Sequence, residues 1–235
     1  MIALRGSAPL PAAALMVVAL AGLAPAAEAQ VLQPATMNYG RAYVGASAGF
    51  VVPSDLHASF GGGFAGSGDF SFNAGAAGTG FIGYHFNDML AGEAELSVAS
   101  ASADKFSGTI NGDSIVAPID GSLTTVLLLA NAIYKPLGAR AGFSPYIGAG
   151  IGFAAIDDSI DTIGGVNVAS TGSETDFAAN FLVGADFAVI DRWSIGARYR
   201  FVWINTASSA TSGGINTSIG NLTEHVVTAT ATFHF

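Results

Sequence analysis

Two short stretches carry ionisable side chains spaced for each other. Glu93 and Glu95 stand in "LAGEAELS" and Arg198 and Arg200 in "WSIGARYR", each pair two residues apart. That spacing puts both members on one side of an extended chain. Asp186 in "VGADFAV" adds a third acid at the same parity as Asn180. Carboxylates facing guanidinia form strong, often bidentate hydrogen-bonded ion pairs. Two roles fit such a network: a gate or selectivity site for small ions, or the polar core of an enclosed space.

Other constellations fail on context. Gly45-Ala-Ser47-Ala-Gly49 has the letters of a hydrolase elbow, but that motif needs a strand-to-helix turn, and these residues alternate as a strand. Gly148, Gly150 and Gly152 lack the spacing of a phosphate loop. Asp157, Ser159 and Asp161 begin like a calcium loop, yet Thr162 stands where Gly is needed and Val168 where Glu is needed. His57, His85, His225 and His234 are scattered, without ligand spacing. The expectation is therefore no catalytic residue, no metal and no cofactor.

What must position the five charges is a set of strands. Charged residues make up only 11 % of the chain, mean hydropathy is +0.50, and net charge is -9. Soluble domains average about 25 % charged residues. Yet no apolar run approaches the ~18 residues of a spanning helix; the longest, Val126 to Ile133, is broken by Asn131. Lipid then permits only a closed barrel, whose backbone groups all pair internally. With no cysteine, disulfides play no part in its stability.

Eight segments alternate as barrel strands should: Arg41–Val51, Ala74–Phe86, Leu90–Ala101, Gly121–Tyr134, Pro145–Ala155, Thr175–Val189, Trp193–Ile204 and Leu222–Phe235. Their connections also alternate. Asn87–Met89, Lys135–Ser144 and Ile190–Arg192 are short or medium, whereas Val52–Asn73, Ser102–Asp120, Ile156–Glu174 and Asn205–Asn221 read as long loops. An even strand count puts both termini on the short-turn, periplasmic side. The segment around Trp193 is clearest: Trp193, Ile195, Ala197, Tyr199, Phe201 and Trp203 face lipid, and Ser194, Gly196, Arg198, Arg200 and Val202 face inward. Ten residues on a tilted strand climb ~25 Å, so Trp193, Trp203 and Tyr199 suit aromatic girdles at the membrane interfaces. The segment Ala74–Phe86 stays ambiguous, with an aromatic on each parity.

Measured from the short-turn ends, Glu93, Glu95, Asp186, Arg198 and Arg200 fall within ~10 Å of one another in height. Asn131 and Asn180 point the same way and are expected to support them, with Glu224 higher up. An eight-strand interior is about filled by side chains, which favours the polar-core role over an open pore. Residues 1–29, with Arg5, an apolar run from Ala12 to Leu23 and Ala27-Glu28-Ala29, form a secretory signal peptide pattern. Residues 30–40 then form a short periplasmic segment, and residues 41–235 the barrel.

"GFIGYHFND", "SPYIGAGIGF" and "RWSIGARYRF", in this order and closing on Phe235, resemble small Gram-negative outer-membrane barrels of the OmpA transmembrane type and the porin-family surface antigens of alphaproteobacteria. The resemblance covers Tyr39 to Phe235. It implies an all-β, eight-stranded, antiparallel up-and-down transmembrane β-barrel, an interior ion-pair plug, and a last strand whose Phe233 and Phe235 signal to the barrel-assembly machinery. A peptidoglycan-binding domain, as in full-length OmpA, does not follow the barrel, so wall anchoring is not expected. The implied role is that of a structural protein or surface antigen, with acidic external loops serving adhesion or surface contacts; the alternative is a narrow porin-like passive channel. Partners would be outer-membrane lipid and lipopolysaccharide, with divalent cations as one bridge to its phosphates. The acidic loops argue against nucleic acid.

Overall fold

A chain that crosses lipid as strands must pair side to side until the last strand meets the first. The computed structural model describes residues 40–62, 65–163, 166–206, 208–212 and 215–235, and does so. The strands are β1 (Ala42–Pro53), β2 (Leu56–Gly62), β3 (Gly66–Phe72), β4 (Gly75–His85), β5 (Leu90–Ile110) and β6 (Asp113–Tyr134), followed by β7 (Phe143–Ile163), β8 (Val166–Ile190), β9 (Trp193–Ile204), β10 (Ser208–Ser212), β11 (Ile215–Ile219) and β12 (Leu222–His234). Eight of them, β1, β4, β5, β6, β7, β8, β9 and β12, form an antiparallel ring. Pairing of β12 with β1, from Tyr43 opposite His234 to Pro53 opposite Glu224, closes it. At this seam the Phe235 N–H donates to Ala42 O at 3.0 Å, and the Gly40 N–H donates to Phe235 O. The signal-peptide segment lies outside the described residues.

Side chains sort by parity. Phe50, Leu96, Leu128, Ile151, Phe153, Phe181 and Ile195 stand exposed on the outer face; Glu95, Leu129, Tyr146, Leu182, Arg200 and Val226 are buried within. The ambiguous strand β4 resolves the same way: Ile82 and Tyr84 face out, Phe81 and His85 in. Inward glycines make room for the large inward rings. A Cβ at Gly45 would strike the Phe81 ring, at Gly83 the Tyr43 ring, and at Gly184 the Tyr146 ring.

The four long connections depart from expectation: they are largely strand. β5 and β6 run on beyond the ring and meet at Asn111-Gly112, whose φ values of 53° and 91° are those of a tight hairpin turn. β7 and β8 extend likewise, paired as far as Ile163 opposite Val166. The first and last connections hold the hairpins β2–β3 and β10–β11, and β11 pairs with β2. β5 exchanges its neighbour β4 for β3 after Ser100, and near there a bulge re-aims the strand. The wall therefore continues past the ring as paired strand. The end bearing both described chain ends, Gly40 and Phe235, has only tight turns and the link of residues 135–142.

Candidate functional site

The charged cluster forms because β5 and β9 each send two ionisable groups inward, on opposite walls of one lumen. Arg198 is its hub: Nη2 donates to Glu93 Oε1 at 3.0 Å, Nη1 to Glu95 Oε2 at 3.2 Å and Nε to the Tyr146 hydroxyl at 3.0 Å. Its guanidinium also lies 4.7 Å from the centre of the Phe81 ring and 5.4 Å from that of Tyr146, within range of cation–π attraction. Arg200 pairs through Nη1 with Glu95 Oε1 and donates from Nη2 to Ser97 Oγ at 2.8 Å. The Tyr43 hydroxyl donates to Glu93 at 3.2 Å. All four charged side chains are at most 6 % exposed, so each charge relies on protein partners.

Asn131 donates from Nδ2 to Glu95 Oε2 at 3.1 Å. Asn180 is buried on the next strand but one, with Gly150 between the two amides. A Cβ there would overlap Asn131 Oδ1 and come within 2.6 Å of Asn180 Oδ1. Glu224 accepts from Thr125 Oγ1 at 2.7 Å and stands apart from the hub.

Asp186 behaves otherwise than its height suggests. It accepts from Lys135 Nζ at 2.8 Å, not from either arginine. Lys135 begins the β6–β7 link, and this link is drawn in under the barrel: Ala139 N–H donates to Asp88 O at 2.6 Å, and the Gly142 carbonyl accepts from Ala188 N–H at 2.9 Å. The folded link delivers an ammonium to the mouth that strand counting alone could not place.

The girdle residues lie on the outer face. Trp193 packs edge-on against Phe233, and Phe233 against Phe235, with centroids 5.2 and 5.3 Å apart. Trp203 meets Phe177 at 6.4 Å, and the Tyr199 hydroxyl lies 2.8 Å from His225 Nδ1.

Above the ion pairs the lumen turns apolar. Leu123, Leu127, Leu129, Val202, Ile204 and Leu222 form one buried cluster, with Leu56 and Phe72 packed against it. Below the ion pairs two cavities of ≈ 10 Å³ lie beside Lys135, Asp186 and His234, each about the space of one water. A cleft of ≈ 70 Å³ opens at the short-turn mouth beside Arg41, His85 and Arg140. The sequence reading missed the supporting residues Tyr43, Phe81, Ser97, Thr125 and Lys135. Glycines opposite the rings hinted at Tyr43 and Phe81.

Residues 12–235 match the family model described as the outer membrane protein beta-barrel domain. The chain belongs to that family. As a member of it, the protein is an outer-membrane barrel of the Gram-negative type. It is 31 % identical over 94 residues to the outer membrane protein PagN of Salmonella typhimurium strain LT2, and this match spans 39 % of either chain. Among solved structures it is similar to Neisserial surface protein A, at 22 % identity and TM-score 0.47, covering 83 % of this chain and 97 % of that one. It is also similar to the outer membrane protease OmpT of Escherichia coli, at 9 % identity and TM-score 0.51, covering 85 % and 98 %. At 9 % identity the likeness to OmpT speaks to the barrel fold alone.

Proposed function

We propose that this family member is a closed-lumen scaffold that displays strand-built hairpins outside the cell, where they serve adhesion or other surface contacts. Both termini and the short turns then face the periplasm. The filling of the lumen supports the reading: among the described residues a layer of ion pairs lies beneath a layer of aliphatic side chains, and the two cavities below the ion pairs are each about the size of one water. Asp55, Asp104, Asp113 and Asp157 stand exposed at the hairpin end, where recognition commonly resides. Catalysis is not part of the proposal.

Planar-bilayer recording tests the closed lumen. Wild type is expected to be electrically silent; stable ohmic steps that change in Arg198→Ala would favour a narrow channel and overturn the scaffold reading. An epitope tag inserted after Gly112 tests orientation. Staining of intact cells is expected, and staining only after the outer membrane is permeabilised would invert the topology. A changed lipid A mass on expression would reopen enzyme activity. Phe233 and Phe235 are proposed to present the last strand to the assembly machinery, so deleting Phe235 should lower the amount of folded barrel per cell.

A further inference from the structure

Five carboxylates take the ring's inward parity, Glu93, Glu95, Asp176, Asp186 and Glu224, against three cations, Lys135, Arg198 and Arg200. Three of the acids have a cation in contact: Glu93 and Glu95 the arginines, Asp186 the lysine. Glu224 does not. It is 1 % exposed, its Oε1 accepts from Thr125, and its Oε2 has no hydrogen-bond partner. The cation that acts on it through space is Arg200, whose terminal nitrogens are held by Glu95 and Ser97 and whose buried Nε has no hydrogen-bond partner.

The rest of its surroundings are apolar. Leu222 and Val226 flank it on β12, Val202 is its register partner on β9, and Leu123 and Leu127 flank Thr125 on β6. On its other side β1 offers Pro53 and the buried Val51. Asp176, higher on β8 and partly open, adds to the excess of acid. An ionised carboxylate in such surroundings is costly enough to be neutralised or paired.

We infer that Glu224 is the seat of one bound proton, which lowers the excess of negative charge in the lumen. Glu224 Oε2 is the receiving atom, and the Thr125 hydroxyl orients the carboxyl group through its other oxygen. The aliphatic layer then holds a neutral acid instead of a bare anion.

The test uses the full chain refolded into phosphatidylcholine bilayers and unfolded by urea. One series varies pH at constant sodium; the other replaces sodium with choline at constant pH. Linkage of one proton predicts that the wild-type folding ratio rises up to tenfold for each unit fall in pH, with no specific response to sodium. Glu224→Gln is expected to lose that increment and to match the fully loaded wild type. A wild-type response beyond that of the variant in the pH arm supports the proton; one confined to the sodium arm overturns it. Parallel responses of wild type and variant in both arms would overturn the inference. So would a variant more than tenfold less stable under every condition, the signature of an anion paired with Arg200. Should the glutamine variant not insert, the wild type alone decides. One proton taken up per chain on refolding, beyond the ordinary titration of exposed groups, supports the seat; no uptake overturns it.

Discussion

The two halves of the lumen share the same strands yet are filled by opposite chemistry. Towards the short turns, β5 and β9 contribute Glu93, Glu95, Arg198 and Arg200, and aromatic rings wall them in. Towards the hairpins, β6, β9 and β12 contribute leucine, isoleucine and valine. A barrel interior therefore has to be full and internally compensated, and it need not be polar. In the lower half compensation comes from charge pairing, where losing one partner leaves the other buried and alone. In the upper half it comes from shape, where losing atoms leaves a void.

That contrast is open to attack from either side. Arg198→Ala strands Glu93, while Glu95 keeps Arg200, and should cost about 3–5 kcal/mol, read as a lower urea midpoint or as failure to insert. Replacing Arg198 by Met together with Glu93→Gln should recover much of that loss, because Glu95 and Arg200 stay paired and no charge is then left alone. Leu127→Ala in the upper half should cost about 2–5 kcal/mol, with no rescue from any charge change. If the same Arg198→Met and Glu93→Gln changes rescued it, the two layers would not be energetically distinct. Gly150→Ala, at the boundary, pushes a methyl group against Asn131 and Asn180 and should cost about 1–3 kcal/mol as overpacking. The smallest effect belongs outside the lumen. His57 and Asp69 pair at 2.7 Å but are 61 % and 51 % exposed, so His57→Ala should shift stability by less than about 1 kcal/mol.

Parity made the ring legible because each spanning strand meets lipid on one side and a packed interior on the other. The pattern around Trp193 could be read directly from "WSIGARYRFVWI". β4 could not, because Phe81 faces inward among charged groups, and its place against Arg198 depends on the space left by Gly45 on the neighbouring strand. Lys135 escaped for a related reason: a folded link, not strand height, sets its position. The hairpins were hidden by composition. Their glycines, serines and aspartates have poor strand propensity, although Asn111-Gly112 between alternating segments is the strongest short signal of a tight β-turn. The leucines of the upper lumen were obscured because β6 runs Val126-Leu-Leu-Leu129 without a polar residue to mark the inward side.

β8 is 25 residues long. On a strand tilted by about 40°, that many residues rise about 60 Å, roughly twice the hydrocarbon thickness of a bilayer. An object meeting the far end of this wall encounters backbone already committed to its ladder. Capture there would immobilise few further torsions, and an unfolding-dependent protease would find little slack chain to grip.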